Sequence, residues 1–108
     1  MENTSLHRCD AAVTLAFSLL GKRWVGMIIS TLGAGEMSFT DVRRAVTGIS
    51  DAVLSDRLAE LTRLGLVERR VNDGPPVSVV YRLAASGEQL VPLLSELGVW
   101  AQSNLPAE

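Results

Sequence analysis

The chain is short of most of what catalysis or membrane insertion requires. It has one cysteine and one histidine in 108 residues. A lone thiol excludes an intrachain disulfide and makes a reducing cytoplasm the expected compartment. One His, one Cys and no convergent acid–base set argue against an enzyme, as does the lack of a glycine-rich phosphate loop. His7-Arg8-Cys9-Asp10 contains metal-ligating residue types, but their spacing fits no zinc pattern. Neither a metal nor a cofactor is expected. No apolar run reaches membrane-spanning length, and the opening MENTSLHRCD has no signal-peptide core. Internal repeats and low-complexity tracts are also absent. A basic excess is missing too, since the formal net charge is −2. That balance does not advertise nucleic-acid binding.

What is present is apolar sequence, 47% of the chain. Residues 1–108 fit a single small domain. Its core would be modest, so burial against a second subunit would help. Charge is unevenly spread. Residues 22–82 hold nine basic and seven acidic side chains, net +2, while residues 83–108 hold three acids and no base. The middle is mildly basic and the tail acidic.

The stretch Ile49–Val67 organises the rest. Ser50 is placed to cap a helix, and Asp51 suits the positive end of its dipole. Leu54, Leu58 and Leu61 form one apolar stripe. Ala52, Asp56, Ala59 and Arg63 fall opposite, flanked by Ser55 and Glu60. Gly65 supplies a left-handed stop before a strand begins at Leu66-Val67. The outward face has short side chains near its start, and such a face can lie flush in a DNA major groove. An ordinary amphipathic helix with a solvated face would have the same stripe.

Upstream, Asp10 is placed to cap a helix over Ala11–Leu20, ended by Gly21. Its two apolar faces, Val13/Ala16/Phe17/Leu20 and Ala12/Leu15/Leu19, call for two partners. A second helix is expected over Trp24–Leu32. Ser38-Phe39-Thr40-Asp41 resembles a capping box and opens a short helix through Val46. Thr47-Gly48 then turns into the Ile49 stretch, which is the helix-turn-helix pattern. Downstream, β-branched runs at Leu66–Val71 and Val77–Leu83 flank Asn72-Asp73-Gly74-Pro75-Pro76. That is a hairpin signal whose prolines forbid ladder bonds. A final helix over residues 86–103 is rich in leucine and suits dimer packing.

This order resembles the HxlR-type winged-helix transcription regulators across residues 9–105. The matching features are Cys9, Gly21-Lys22-Arg23-Trp24, and Ser38-Phe39-Thr40-Asp41-Val42-Arg43-Arg44. They continue through Gly48-Ile49-Ser50, Leu54–Leu61 and Gly65-Leu66-Val67, then Pro75-Pro76-Val77, Tyr81-Arg82-Leu83, Gly87 and Trp100. Two features depart from the family. Ala84-Ala85 stands where it often has Thr-Pro, leaving Ser86 as the candidate cap, and Asp51-Ala52 stands where a basic or amide side chain is usual. The resemblance implies a mainly α fold with a small β-hairpin, a winged helix-turn-helix. It also implies a homodimer, built from the first and last helices, that regulates transcription.

Candidate sites follow. Ser50, Asp51, Ala52, Ser55, Asp56 and Ala59 are the base-reading face, where Asp51 or Asp56 can accept from cytosine N4. Lys22, Arg23, Ser38, Thr40, Arg43, Arg44, Arg57, Arg69 and Arg70 are phosphate candidates, and phosphate contacts set affinity and orientation. Asn72, Asp73, Gly74, Pro75 and Pro76 form the wing tip. Val13, Phe17, Leu90, Leu94, Leu97 and Trp100 are the expected dimer seam. Cys9, beside Arg8, is a candidate redox sensor, since the family includes members that sense oxidants or electrophiles through a cysteine there. It reads equally as a packing residue. The expected partners are double-stranded DNA carrying an inverted-repeat operator, a second copy of the chain, and an oxidant, electrophile or small ligand, with no membrane. Repression is the expected sign. The alternative is a winged-helix module that binds protein without specific DNA binding, which the acidic balance would permit.

Overall fold

The computed structural model describes residues 2–107, with side chains from Ala11 onward. The elements run α1 (Glu2–Leu20), α2 (Val25–Leu32), β1 (Met37–Ser38), α3 (Phe39–Ala45), α4 (Asp51–Arg63), β2 (Val67–Asn72), β3 (Ser78–Leu83) and α5 (Ala85–Asn104). α1 starts eight residues before its expected cap, so Asp10 lies inside the helix and does not begin it.

The caps of α3 and α4 form where the residue types require them. Ser38 Oγ accepts from the Asp41 amide at 3.1 Å, and Ser50 Oγ from the Val53 amide at 3.2 Å. α4 stops through Gly65, at φ 84°. Its end is closed by bonds from the Gly65 amide to the Thr62 carbonyl and from the Leu66 amide to the Leu61 carbonyl. α2 begins one residue later than expected. Trp24 precedes it with φ 82°, a left-handed backbone conformation. For a bulky side chain that conformation costs about 1–3 kcal/mol, so the surroundings must impose it.

The core is the helix-turn-helix itself. Val25, Ile28, Ile29 and Leu32 of α2 meet Val42 of α3, Val46 and Ile49 of the linking turn, and Leu54, Leu58 and Leu61 of α4. Val67 and Leu83 close it from the sheet. The helical spacing of each set points it at one shared interior.

The sheet has three antiparallel strands in the order β1-β3-β2, with Val67 opposite Leu83 and Asn72 opposite Ser78. Two features differ from the sequence reading. The two-residue β1, whose Met37 faces Tyr81, is too short to leave an alternating pattern. The hairpin closes at the Asn72/Ser78 pair, so Asn72 joins β2 and Val77 joins the connection, while Pro75 and Pro76 stay outside the ladder as expected.

α5 leaves the sheet through a close approach. Gly87 is buried, and a Cβ there would lie 2.4 Å from the Leu66 carbonyl oxygen, so no larger residue fits. Ser86 is not the cap of this helix. Ala84 holds the cap position with no side-chain bond, and the Ser86 hydroxyl donates to the Gly65 carbonyl at 3.1 Å. That bond ties the start of α5 to the end of α4.

Candidate nucleic-acid interface

α4 presents its outer face as expected. With Leu54, Leu58 and Leu61 buried, Asp51, Ala52, Ser55, Asp56 and Ala59 are all exposed, and Ser50 stands exposed at the cap. Apart from Asp51, which pairs with Arg43, these side chains carry no ion pair among the described residues. The front of the helix is low and short-chained, a shape that fits a major groove.

The helix has two unlike flanks. On one side Ser55, Ala59 and Arg63 border an open cleft of about 520 Å³ that runs to Arg69 and Tyr81 of the sheet. On the other side Arg57 and Glu60 engage the turn between α1 and α2. Arg57 Nε donates to the Arg23 carbonyl at 3.1 Å, and Lys22 Nζ pairs with Glu60 Oε2. The hydrogen bond and charge of Lys22 hold the Glu60 carboxyl below its ordinary pKa.

The basic side chains fall into two groups. Most have a protein partner. Arg43 Nε lies 3.5 Å from Asp51, Arg44 Nη1 3.6 Å from Asp41, and Arg70 Nη1 3.5 Å from Glu36. The Arg23 guanidinium sits 4.5 Å above the Trp24 ring. These contacts are exposed, and pairs of that kind are weak enough to exchange for a phosphate. Arg63 and Arg69 have no ion pair among the described residues. The helical count puts Arg63 on the outward face, although it is not among the phosphate candidates read from the sequence. Its side of α4, shared with Asp56 and Ala59, was the available signal.

Ser38 is half-buried and occupied as a cap, while Thr40 is exposed beside it. The wing tip, Asn72 to Pro76, is exposed, and Asn72 Nδ2 donates to Ser78 Oγ at 3.3 Å across its base. Arg69 and Arg70, adjacent on β2, point to opposite faces of the sheet, so only Arg69 shares the cleft with α4. Val13, Phe17, Leu97 and Trp100 stand half exposed or more, whereas Leu90 and Leu94 pack against the core. The Cys9 side chain lies outside the described residues.

Comparison with known proteins agrees with this geometry. The family model for the HxlR-like helix-turn-helix matches residues 19–108. The HTH-type transcriptional regulator YodB of Bacillus subtilis is 42% identical over 101 residues, which cover 94% of this chain and 87% of that protein. The reduced form of YodB matches with a TM-score of 0.78 at 40% identity, over 88% of this chain and 94% of that one. Its quinone-bound form matches at 0.74 and 37%, over 85% and 96%. The redox regulator HypR in its oxidized form matches at 0.81 and 28%, over 89% and 99%. With a helix-turn-helix core, a β2–β3 wing and relatives that regulate transcription, the chain belongs to the HxlR-like helix-turn-helix family of DNA-binding transcription regulators.

Proposed function

We propose that the chain is a homodimeric repressor that reads an inverted-repeat operator with α4. The observation that carries this is the α4 front. Short exposed side chains stand over a fully buried leucine face, between Arg43 and Arg44 on α3 and Arg69 on the wing. A twofold dimer meets two equivalent grooves, so the half-sites lie about 10 bp, or a multiple of it, apart. α1 and α5 form the seam, and residues 9–105 act as one winged-helix unit working in the cytoplasm.

Gel-shift titration of a fragment from the gene's own upstream region tests the reading. Replacing Arg43 and Arg44 by Ala weakens binding to every sequence and flattens the log–log salt slope by about 2. Changing Ser55 or Asp56 moves sequence preference instead. The second reading, a module that binds protein and not DNA, draws on the carboxylates at Asp51 and Asp56 and the pairing of Arg43 with Asp51. The absence of a shift on any duplex at low salt would favour it.

Control by an electrophile or oxidant at Cys9 is part of the proposal. YodB, known in reduced and quinone-bound forms, supports it by similarity. An adduct in α1 near the seam would shift the spacing of the two α4 helices, and a change of about 1–2 Å is enough to misalign one with its groove. Wild type loses DNA binding after diamide or a quinone, and Cys9→Ser keeps it. An equal response in both proteins removes Cys9 as the sensor.

A further inference from the structure

The turn between α1 and α2 holds the recognition helix region at three points. Lys22 pairs with Glu60. The Arg23 carbonyl accepts from Arg57 Nε at 3.1 Å. The Trp24 ring lies against the turn that leads into α4, where a methyl group on Gly48 would sit 3.6 Å from it. Arg23 in turn covers the Trp24 ring. Arg57 and Glu60 are three residues apart and share one flank of α4 with half-buried Val53. Ser55 and Ala59 line the opposite flank, and Asp56, four residues before Glu60, borders this one. Each contact alone is slight, but three consecutive residues, Lys22, Arg23 and Trp24, make all of them. The left-handed backbone of Trp24 marks a turn whose shape is imposed by its surroundings.

We infer that Gly21–Trp24 is a latch that sets the position of α4, and that Lys22, Arg57 and Glu60 are positioning residues for base readout and not phosphate contacts. The latch rests on the reading of α4 as the base-reading helix. It also gives α1 a mechanical route to that helix. Leu20 ends α1 and runs directly into the latch, so a displacement of α1 reaches Glu60 through Lys22 and Arg57 through the Arg23 carbonyl, two and three residues on.

The test uses the full chain as wild type, Lys22→Met, Glu60→Gln, the double variant, and the swapped pair Lys22→Glu with Glu60→Lys. The probes are a duplex selected from a random pool by wild type and a shuffled copy of it. Each single variant loses about 10-fold of the preference for the selected duplex. The double variant loses no more than either single, the swapped pair regains most of it, and the salt slope stays unchanged. Without DNA, the α4 amides exchange hydrogen faster in the single variants and return to the wild-type rate in the swapped pair. Circular dichroism confirms that all variants fold. The inference is overturned if Lys22→Met weakens both duplexes alike and lowers the salt slope by about 1 while Glu60→Gln does neither. If wild type selects no duplex, base readout by α4 fails on its own. The exchange arm then decides the latch, and unchanged rates in the single variants reject it.

Discussion

Leu54, Leu58 and Leu61 of α4 are buried within the chain itself, while Leu93, Leu97, Val99 and Trp100 of α5 stand half exposed or more. α1 behaves like α5, with Val13, Leu15 and Phe17 open to solvent. These regions have similar apolar spacing. The helix-turn-helix finds its partners locally, because α2, α3 and α4 are short and joined by tight turns. α1 and α5 extend along a molecule whose longest dimension is 61 Å, and they bury only their inner residues, such as Leu19, Leu90 and Leu94. An apolar stripe states that a face must be covered, not which chain covers it.

Breaking each region in turn separates their roles. The largest effect is expected inside the helix-turn-helix. Leu58→Ala removes a buried side chain and should cost about 2–5 kcal/mol, measured by urea unfolding at any protein concentration. The next is in the exposed set. Trp100→Glu with Leu97→Glu should leave the circular dichroism spectrum unchanged but weaken self-association by at least about 30-fold in sedimentation. If the spectrum collapses instead, these residues belong to the protomer's own core.

A smaller effect sharpens the contrast at the entry to α4. Ser50→Ala removes the cap bond to the Val53 amide and should cost about 1 kcal/mol by urea unfolding, with sedimentation unaffected. The smallest lies at Glu60. Lys22 lowers its carboxyl pKa in the folded chain, so this contribution to stability is present above the ordinary value of 4.5 and is lost as the pH falls through the lowered one. Wild type and Glu60→Gln should therefore differ slightly in melting temperature near neutral pH and converge in acid. A gap that widens as the pH falls would contradict the assignment.

Much of this was legible from residues. Ser50, the leucine stripe and Gly65 bounded α4 to within a residue, because capping, periodicity and a left-handed stop are local physics. Ser38 did the same for α3. Local reasoning missed what distant segments supply. β1 exists because β3 pairs with it, α5 starts at Ala85 without a capping side chain and with Gly87 packed against the Leu66 carbonyl, and Trp24 takes a left-handed backbone that its residue type does not favour. At the candidate site, the α4 front could be read from helical angles. The engagement of Lys22 and Arg57 with Glu60 and the Arg23 carbonyl could not, since residues 38 and 34 positions apart meet only after folding.

The mass of the protein, alone and on a duplex, tests the division between the two regions most directly. Multi-angle light scattering at micromolar concentration should give twice the 11.6 kDa chain mass for wild type, and two chains per duplex carrying the inverted repeat. A folded monomer in solution that binds one chain per duplex would leave α1 and α5 without the partner proposed for them and would contradict the account.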